Sequence, residues 1–235
     1  MAIWLLLMLM HRMSSMSDSI VPPIRIVVLI SGSGSNLQAL MDEIDAGRIA
    51  ANIVAVISNR ADAYGLQRAF KADIPAEIID HTTFESREAF DANLQARIDS
   101  FSPDLLVLAG FMRILTTAFV RHYAGRMLNI HPSLLPLYRG IHTHARVLAD
   151  NAREHGASVH FVTAELDGGP IVMQAKVPVL PSDTANSLAK RVLIQEHVIY
   201  PQVVKWFAEG RLQLQGNQVL LDGNVLKRPV LHIGD

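Results

Sequence analysis

Residues Ile24-Arg25-Ile26-Val27-Val28-Leu29-Ile30 form a β-branched, almost continuously apolar run, the pattern of a strand buried on both faces. Such a strand needs a layer of helices above it and another below. That restricts the chain to an α/β architecture, Rossmann-like, with a mostly parallel sheet flanked by helices. At 235 residues the chain is long enough for a sizeable core. Ahead of the strand, all ten residues Met1 to Met10 are apolar. The run is short for a bilayer, which takes about 20 apolar residues, and no Lys or Arg precedes it as a signal peptide requires. Residues 1–22 are therefore read as an extension, disordered or non-native, with Met13 or Met16 as the working start. Residues 23–235 are read as one domain.

Strand and helix signals alternate from there. A glycine-serine turn follows the first strand, and Leu37, Leu40, Met41 and Ile44 recur at helical spacing before Gly47. Strands are expected at Ile53–Ile57, Glu77–Ile79, Leu105–Ala109 and Met127–Ile130, with helices over Ala63–Lys71 and Phe84–Ser100. Beyond Pro136 the pattern changes to a helix over His142–Asp150 and an antiparallel hairpin formed by Ser158–Thr163 and Ile171–Val177. A long helix over Thr184–Phe207, interrupted or ended near Pro201, and a terminal hairpin around Asp222-Gly223 complete the chain.

Composition narrows the chemistry. The chain has no cysteine, which excludes disulfides, thiolate metal sites and a cysteine nucleophile. Its 21 Lys plus Arg nearly balance 22 Asp plus Glu, a net charge of −1. Neither nucleic acid nor a membrane surface is an expected partner; small molecules are.

Three segments have the makings of a site. Ser31-Gly32-Ser33-Gly34-Ser35-Asn36 lies between strand and helix, where glycines and the N–H groups of a helix start accommodate an anion. Leu37 stands where the third glycine of the dinucleotide fingerprint belongs, and Ser58-Asn59-Arg60 replace its acidic residue. A monophosphate ester fits better than NAD or ATP, although a capped turn without ligand has the same pattern. Asn129 and His131 alternate on one strand face at a carboxyl edge, and an amide beside a protonated imidazole suits a carbonyl oxygen gaining negative charge. The same residues also fit a turn with a satisfied histidine. Asp167, in Leu-Asp-Gly-Gly-Pro, is either ordinary turn chemistry or, if it meets His131, a carboxylate that favours the imidazolium and steers protons. His142, His144 and His160 admit a metal reading, but the spacings of zinc hydrolases are absent, and packing or substrate contacts are the expectation. Met112 to Leu115 follow a buried strand and either line a slot for a flat ring or pack in the core.

Taken in order, VVLISGSGSNLQAL, SNRADAYGL, SREAF, PDLLVLAGFMRIL, NIHPSLLP, GIHTH, HGASVHFVTAELDGGPIVMQAKVPV and QEHVIYP resemble the phosphoribosylglycinamide formyltransferases over about Ile24 to Leu226. NIHPSLLP is shared with methionyl-tRNA formyltransferases and formyl-tetrahydrofolate hydrolases; the SGSGSNLQ loop and the HTH segment favour the glycinamide enzymes. The resemblance implies a cytoplasmic enzyme of purine synthesis, monomeric or homodimeric, with 10-formyl-tetrahydrofolate as formyl-donor cosubstrate and no metal. It assigns Asn129, His131 and Asp167 to catalysis. Gly34, Ser35, Asn36 and Glu196 correspond to ribonucleotide-binding positions, and Arg87, Met112, Arg113, Ile114, Leu115, Asn129, Thr163, Ala164, Glu165 and Leu166 to folate-binding ones. The tRNA enzymes carry a further carboxyl-terminal domain and the hydrolases an amino-terminal one, for neither of which this sequence offers a counterpart. A non-catalytic phosphate-sugar module is the alternative of another class; it would have no use for the trio.

Overall fold

A computed structural model of the chain describes residues 22–233; the expectation for the extension, Pro22 aside, lies outside the described residues. The main sheet has eight strands, in the order β11-β7-β6-β5-β4-β1-β2-β3. Its parallel half comprises β1 (Ile24–Ile30), β2 (Ala51–Ser58), β3 (Ala76–Ile78), β4 (Leu105–Leu108) and β5 (Met127–His131). β6 (Glu154–Phe161) runs antiparallel to β5 and to β7 (Ile171–Pro178), as the expected hairpin requires. Helices α1 (Ser35–Asp45), α2 (Tyr64–Lys71), α3 (Arg87–Ser100), α4 (Thr117–His122), α5 (Thr143–Ala149) and α6 (Ala185–Ala208) complete the layers.

β1 is the axis of this arrangement. Each residue from Ile26 to Ile30 is fully buried. Ile26, Val28 and Ile30 join the core beneath α1, α2, α5 and α6, while Val27 and Leu29 join the core beneath α3 and α4. Strand periodicity thus divides one apolar run between two cores. β1 lies between β2 and β4, so the connections leaving β1 and β4 diverge and open a crevice at their carboxyl ends, where open α/β sheets place ligands.

Several elements depart from the sequence reading. α6 runs through Pro201 to Ala208 instead of stopping there. Tyr200, Val203 and Val204 beside the proline are buried in the core, and that packing outweighs one missing helical hydrogen bond. α3 begins at Arg87, where Ser86 caps it by accepting from the Ala89 N–H, with a 3-10 turn at His81–Thr83 ahead of it. The terminal hairpin gains a strand and becomes the three-stranded sheet β8 (Leu212–Gln215), β9 (Gln218–Leu221) and β10 (Asn224–Val225). β11 (Val230–Ile233) then returns to pair with β7. α4, at six residues, and β11, at four, are too short for their patterns to stand out in the sequence.

Two polar groupings sit within the core. The buried Tyr200 hydroxyl lies 2.9 Å from the Leu108 carbonyl and 3.0 Å from that of Leu128, so α6 ties β4 to β5 one residue before Asn129. On α5 and β6, His144 Nδ1 meets His155 Nε2 at 2.9 Å. Burial lowers the pKa of both rings, and burial with the charges of His144 and His131 takes His155 from 6.5 down to about 4.

Tyr200→Phe should lower the unfolding free energy by about 1–3 kcal/mol, because a hydrogen-bonding group is lost in a dry site; the shift of a denaturant midpoint measures it. Acidification should also destabilise the fold. The unfolded chain takes up a proton at His155 near pH 6.5 while the folded chain resists until about pH 4. Stability is therefore full above pH 6.5 and falls between the two values, at a slope approaching about 1.4 kcal/mol per pH unit for this residue. Denaturant midpoints at pH 7.5, 6 and 5 check it, and a His155→Leu variant should flatten the dependence.

Candidate active site

The crevice at the carboxyl ends of β1, β4 and β5 collects most of the sequence-predicted residues. At its β1 end, the Ser31 hydroxyl donates to Asn59 Oδ1 at 2.5 Å and accepts from the Met112 N–H at 2.7 Å, locking the loops after β1, β2 and β4 together. Gly34 follows with φ 67°. A Cβ there would lie 2.6 Å from the Gly65 Cα on α2, so the position excludes every side chain. Among the described residues no side chain caps α1 at Gly34, which leaves the N–H groups of its first turn available to an anion.

Asn36, the second residue of α1, donates through Nδ2 to Glu196 Oε2 at 2.7 Å. Both side chains belong to residues only 8% exposed. Burial pushes the Glu196 carboxyl up, with the Asn36 bond acting the other way. Asn36 Oδ1 is buried with no partner among the described residues.

At the β5 end, Asn129 and His131 share a strand face. Asn129 stands opposite His160 and His131 opposite Ser158 in the β5–β6 register. His160 Nδ1 lies 2.9 Å from the Phe161 carbonyl oxygen. A carbonyl only accepts, so Nδ1 carries the hydrogen and Nε2 accepts from Asn129 Nδ2 at 3.1 Å. Burial holds the His160 pKa below the ordinary value, in keeping with this neutral form. One amide hydrogen of Asn129 is thereby committed, and the second has no partner among the described residues. His160 is the residue that sequence reasoning underrated: its signal was the polar alternation Ser158, His160 on an otherwise apolar strand, and its role appears only through cross-strand pairing.

The conditional meeting of Asp167 with His131 is realised. His131 Nε2 lies 3.0 Å from the Tyr138 carbonyl, and its Nδ1 is 3.5 Å from Asp167 Oδ2. The same carboxylate accepts the Gly140 N–H at 2.8 Å and stands 3.9 Å from His160 Nε2. The loop that presents it is tight: Asp167 has φ 47°, and a Cβ on Gly169 would come within 1.8 Å of the Phe161 carbonyl oxygen.

Beside the trio is a cavity of about 100 Å³. Leu108, Phe111, Ile114, Leu115, Val120 and Val162 give it apolar walls; Arg113, Asn129, His160 and the stretch from Thr163 to Asp167 give it polar ones. Arg113 Nε is buried without a partner among the described residues. Arg87, paired with Glu88 at 3.7 Å, and the exposed Met112 are outside this lining. A larger recess of about 560 Å³ lies behind the Asp167 loop, against β9 and Lys227–Pro229. Among the described residues, Asp167 is the only acid or base in its wall besides arginine and lysine, whereas the smaller cavity has Glu165 and His160 as well as Asp167. Among the described residues no group of three His, Asp or Glu is placed to hold a metal ion, and no helix is long and apolar enough to cross a membrane.

Comparison with known proteins agrees with this architecture. The formyl transferase family model matches residues 24–204. The phosphoribosylglycinamide formyltransferase of Escherichia coli (strain K12) is 56% identical over 201 residues, which is 86% of this chain and 95% of the relative. The trifunctional purine biosynthetic protein adenosine-3 of Bos taurus is 46% identical over 82% of this chain and 19% of its own length. The solved phosphoribosylglycinamide formyltransferase of Coxiella burnetii superposes with a TM-score of 0.86 at 56% identity, covering 89% of this chain and 99% of that one. The chain thus belongs to the formyl transferase family, among the phosphoribosylglycinamide formyltransferases.

Proposed function

We propose that the chain transfers the formyl group of 10-formyl-tetrahydrofolate to the amine of glycinamide ribonucleotide, releasing tetrahydrofolate and formylglycinamide ribonucleotide in purine synthesis. The observation that carries this reading is the meeting of Asn129, His131, His160 and Asp167 at the sheet edge that also bears the anion loop. The cavity walls suit a flat, polar-edged ring: apolar side chains for its faces, and the unpartnered Arg113 Nε for an acceptor on it. Gly34, Ser35 and Asn36 hold the phosphate in this reading, and Glu196 takes a hydroxyl of the ribose.

Asn129 donates its uncommitted amide hydrogen to the formyl oxygen as the substrate amine attacks the formyl carbon. His131, protonated at Nδ1, donates to the same oxygen as negative charge develops there. Asp167, 3.5 Å from Nδ1, takes up the proton released by the amine. Through water it returns a proton to the departing folate nitrogen, so the acid and base roles balance over one turnover. His160 keeps the Asn129 amide turned towards the cavity. A cytoplasmic location and small-molecule partners alone accord with this chemistry and with the near-zero net charge.

The purified protein, mixed with glycinamide ribonucleotide and 10-formyl-tetrahydrofolate, should release tetrahydrofolate only when both are present. Release without ribonucleotide would indicate hydrolysis instead. Asn129→Ala should reduce kcat by roughly 10² to 10³ and Asp167→Asn by roughly 10² to 10⁴, both with KM changed much less. A near-wild-type kcat in either variant would remove that residue from the mechanism.

A further inference from the structure

The anion loop is shaped from outside by α2. Gly65 donates its N–H to the Gly32 carbonyl at 3.0 Å. One turn further along, Arg68 Nε donates to the Ser33 carbonyl at 2.9 Å, and its Nη1 donates to Gln38 Oε1 on α1 at 3.1 Å. The guanidinium lies over the Tyr64 ring, 5.0 Å from its centroid, and contacts the loop closely enough that a Cβ on Gly34 would come within 3.5 Å of Arg68 Cδ.

These contacts fix two peptide planes. In a trans peptide the carbonyl and the following N–H point in opposite directions. With the Gly32 and Ser33 carbonyls both turned onto α2, the Ser33 and Gly34 N–H groups are both turned away from it. Successive N–H groups converging in this way form an anion nest, continued here by the uncapped first turn of α1.

A second observation describes the rest of the ligand. The Asn36 Oδ1 is an acceptor buried without a partner among the described residues in a residue more than nine-tenths buried, and it calls for a hydroxyl donor. The nest calls for an acceptor anion. A phosphate ester of a polyol offers both. Such an ester carries a charge of about −1.5 to −2, more than a helix end offsets, which amounts to about +0.5. Arg68 has no carboxylate within ion-pair distance among the described residues; Asp42 is reached only through Gln38. Its positive charge is left for the ligand.

We infer that Arg68 is a positioning residue for the substrate phosphate, turning the Gly34 N–H into the nest and supplying countercharge at its rim, a role that rests on reading this loop as the phosphate site. Arg68 thereby sets the preference for a phosphorylated acceptor over its dephosphorylated counterpart.

The test compares wild type with Arg68→Met and Arg68→Lys in the full chain, using glycinamide ribonucleotide and the corresponding riboside as acceptors. Arg68→Met should raise KM for the ribonucleotide by about 10- to 100-fold, the range for one charge-assisted hydrogen bond. Its kcat, its KM for the folate and its use of the riboside should change little. Arg68→Lys should recover part of the loss, since the charge remains while the two-armed contact does not. Inorganic phosphate, titrated as a competitor, should bind the wild type more tightly than Arg68→Met. An equal loss with both acceptors, or an unchanged ribonucleotide KM in both variants, would overturn the inference. If the wild type does not formylate the ribonucleotide yet binds inorganic phosphate in an Arg68-dependent way, the proposed reaction fails and the phosphate role stands. Phosphate binding that ignores Arg68 overturns the role whatever the reaction.

Discussion

Burial of β1 on both faces is the constraint on which the rest of the molecule depends. A strand whose residues Ile26 to Ile30 are wholly shielded must sit inside the sheet, with helices covering alternate side chains. Once it is inside, with β2 on one side and β4 on the other, the chain has to leave its carboxyl end between two diverging connections. Every group with a proposed role in binding or proton transfer lies along that edge or on the two helices α2 and α6 packed beside it. The anion loop follows β1, the cavity wall follows β4, and Asn129 and His131 end β5.

Much of this was legible because the signals are local. The β-branched runs announced the parallel strands, and the glycine-serine turn announced the first crossover. What escaped was decided by distant packing. α6 continues through Pro201 because its neighbours are buried in the core. β11 has only an edge to pair with and alternates between half-buried and exposed residues, so its pattern carries little information. β6 begins at Glu154, four residues before the alternation becomes apparent, and is held there by pairing with β7.

The site divides in the same way. Asn129 and His131 could be placed together from strand periodicity, but whether Asp167 faced them could not, because a nine-residue loop separates β6 from β7. The tautomer of His160 was beyond reach, since it depends on the neighbouring Phe161 carbonyl and a partner on another strand. Arg68 belongs to no local motif. Its meaning arises where two helix starts touch through Gly34 and Gly65, a contact between residues of different βα units.

Glu196 and Tyr200 lie four positions apart on α6, so they share a helix face about one turn, or roughly 6 Å, from each other. The first reaches Asn36 beside the anion loop; the second grips the carbonyls of β4 and β5 just ahead of Asn129. One rigid turn of helix thus acts as a ruler between the two ends of the edge. The span from the loop after β1 to the Asn129 end of β5 is thereby tied to helical geometry, so a shift of α6 along its axis would move both ends of the edge together.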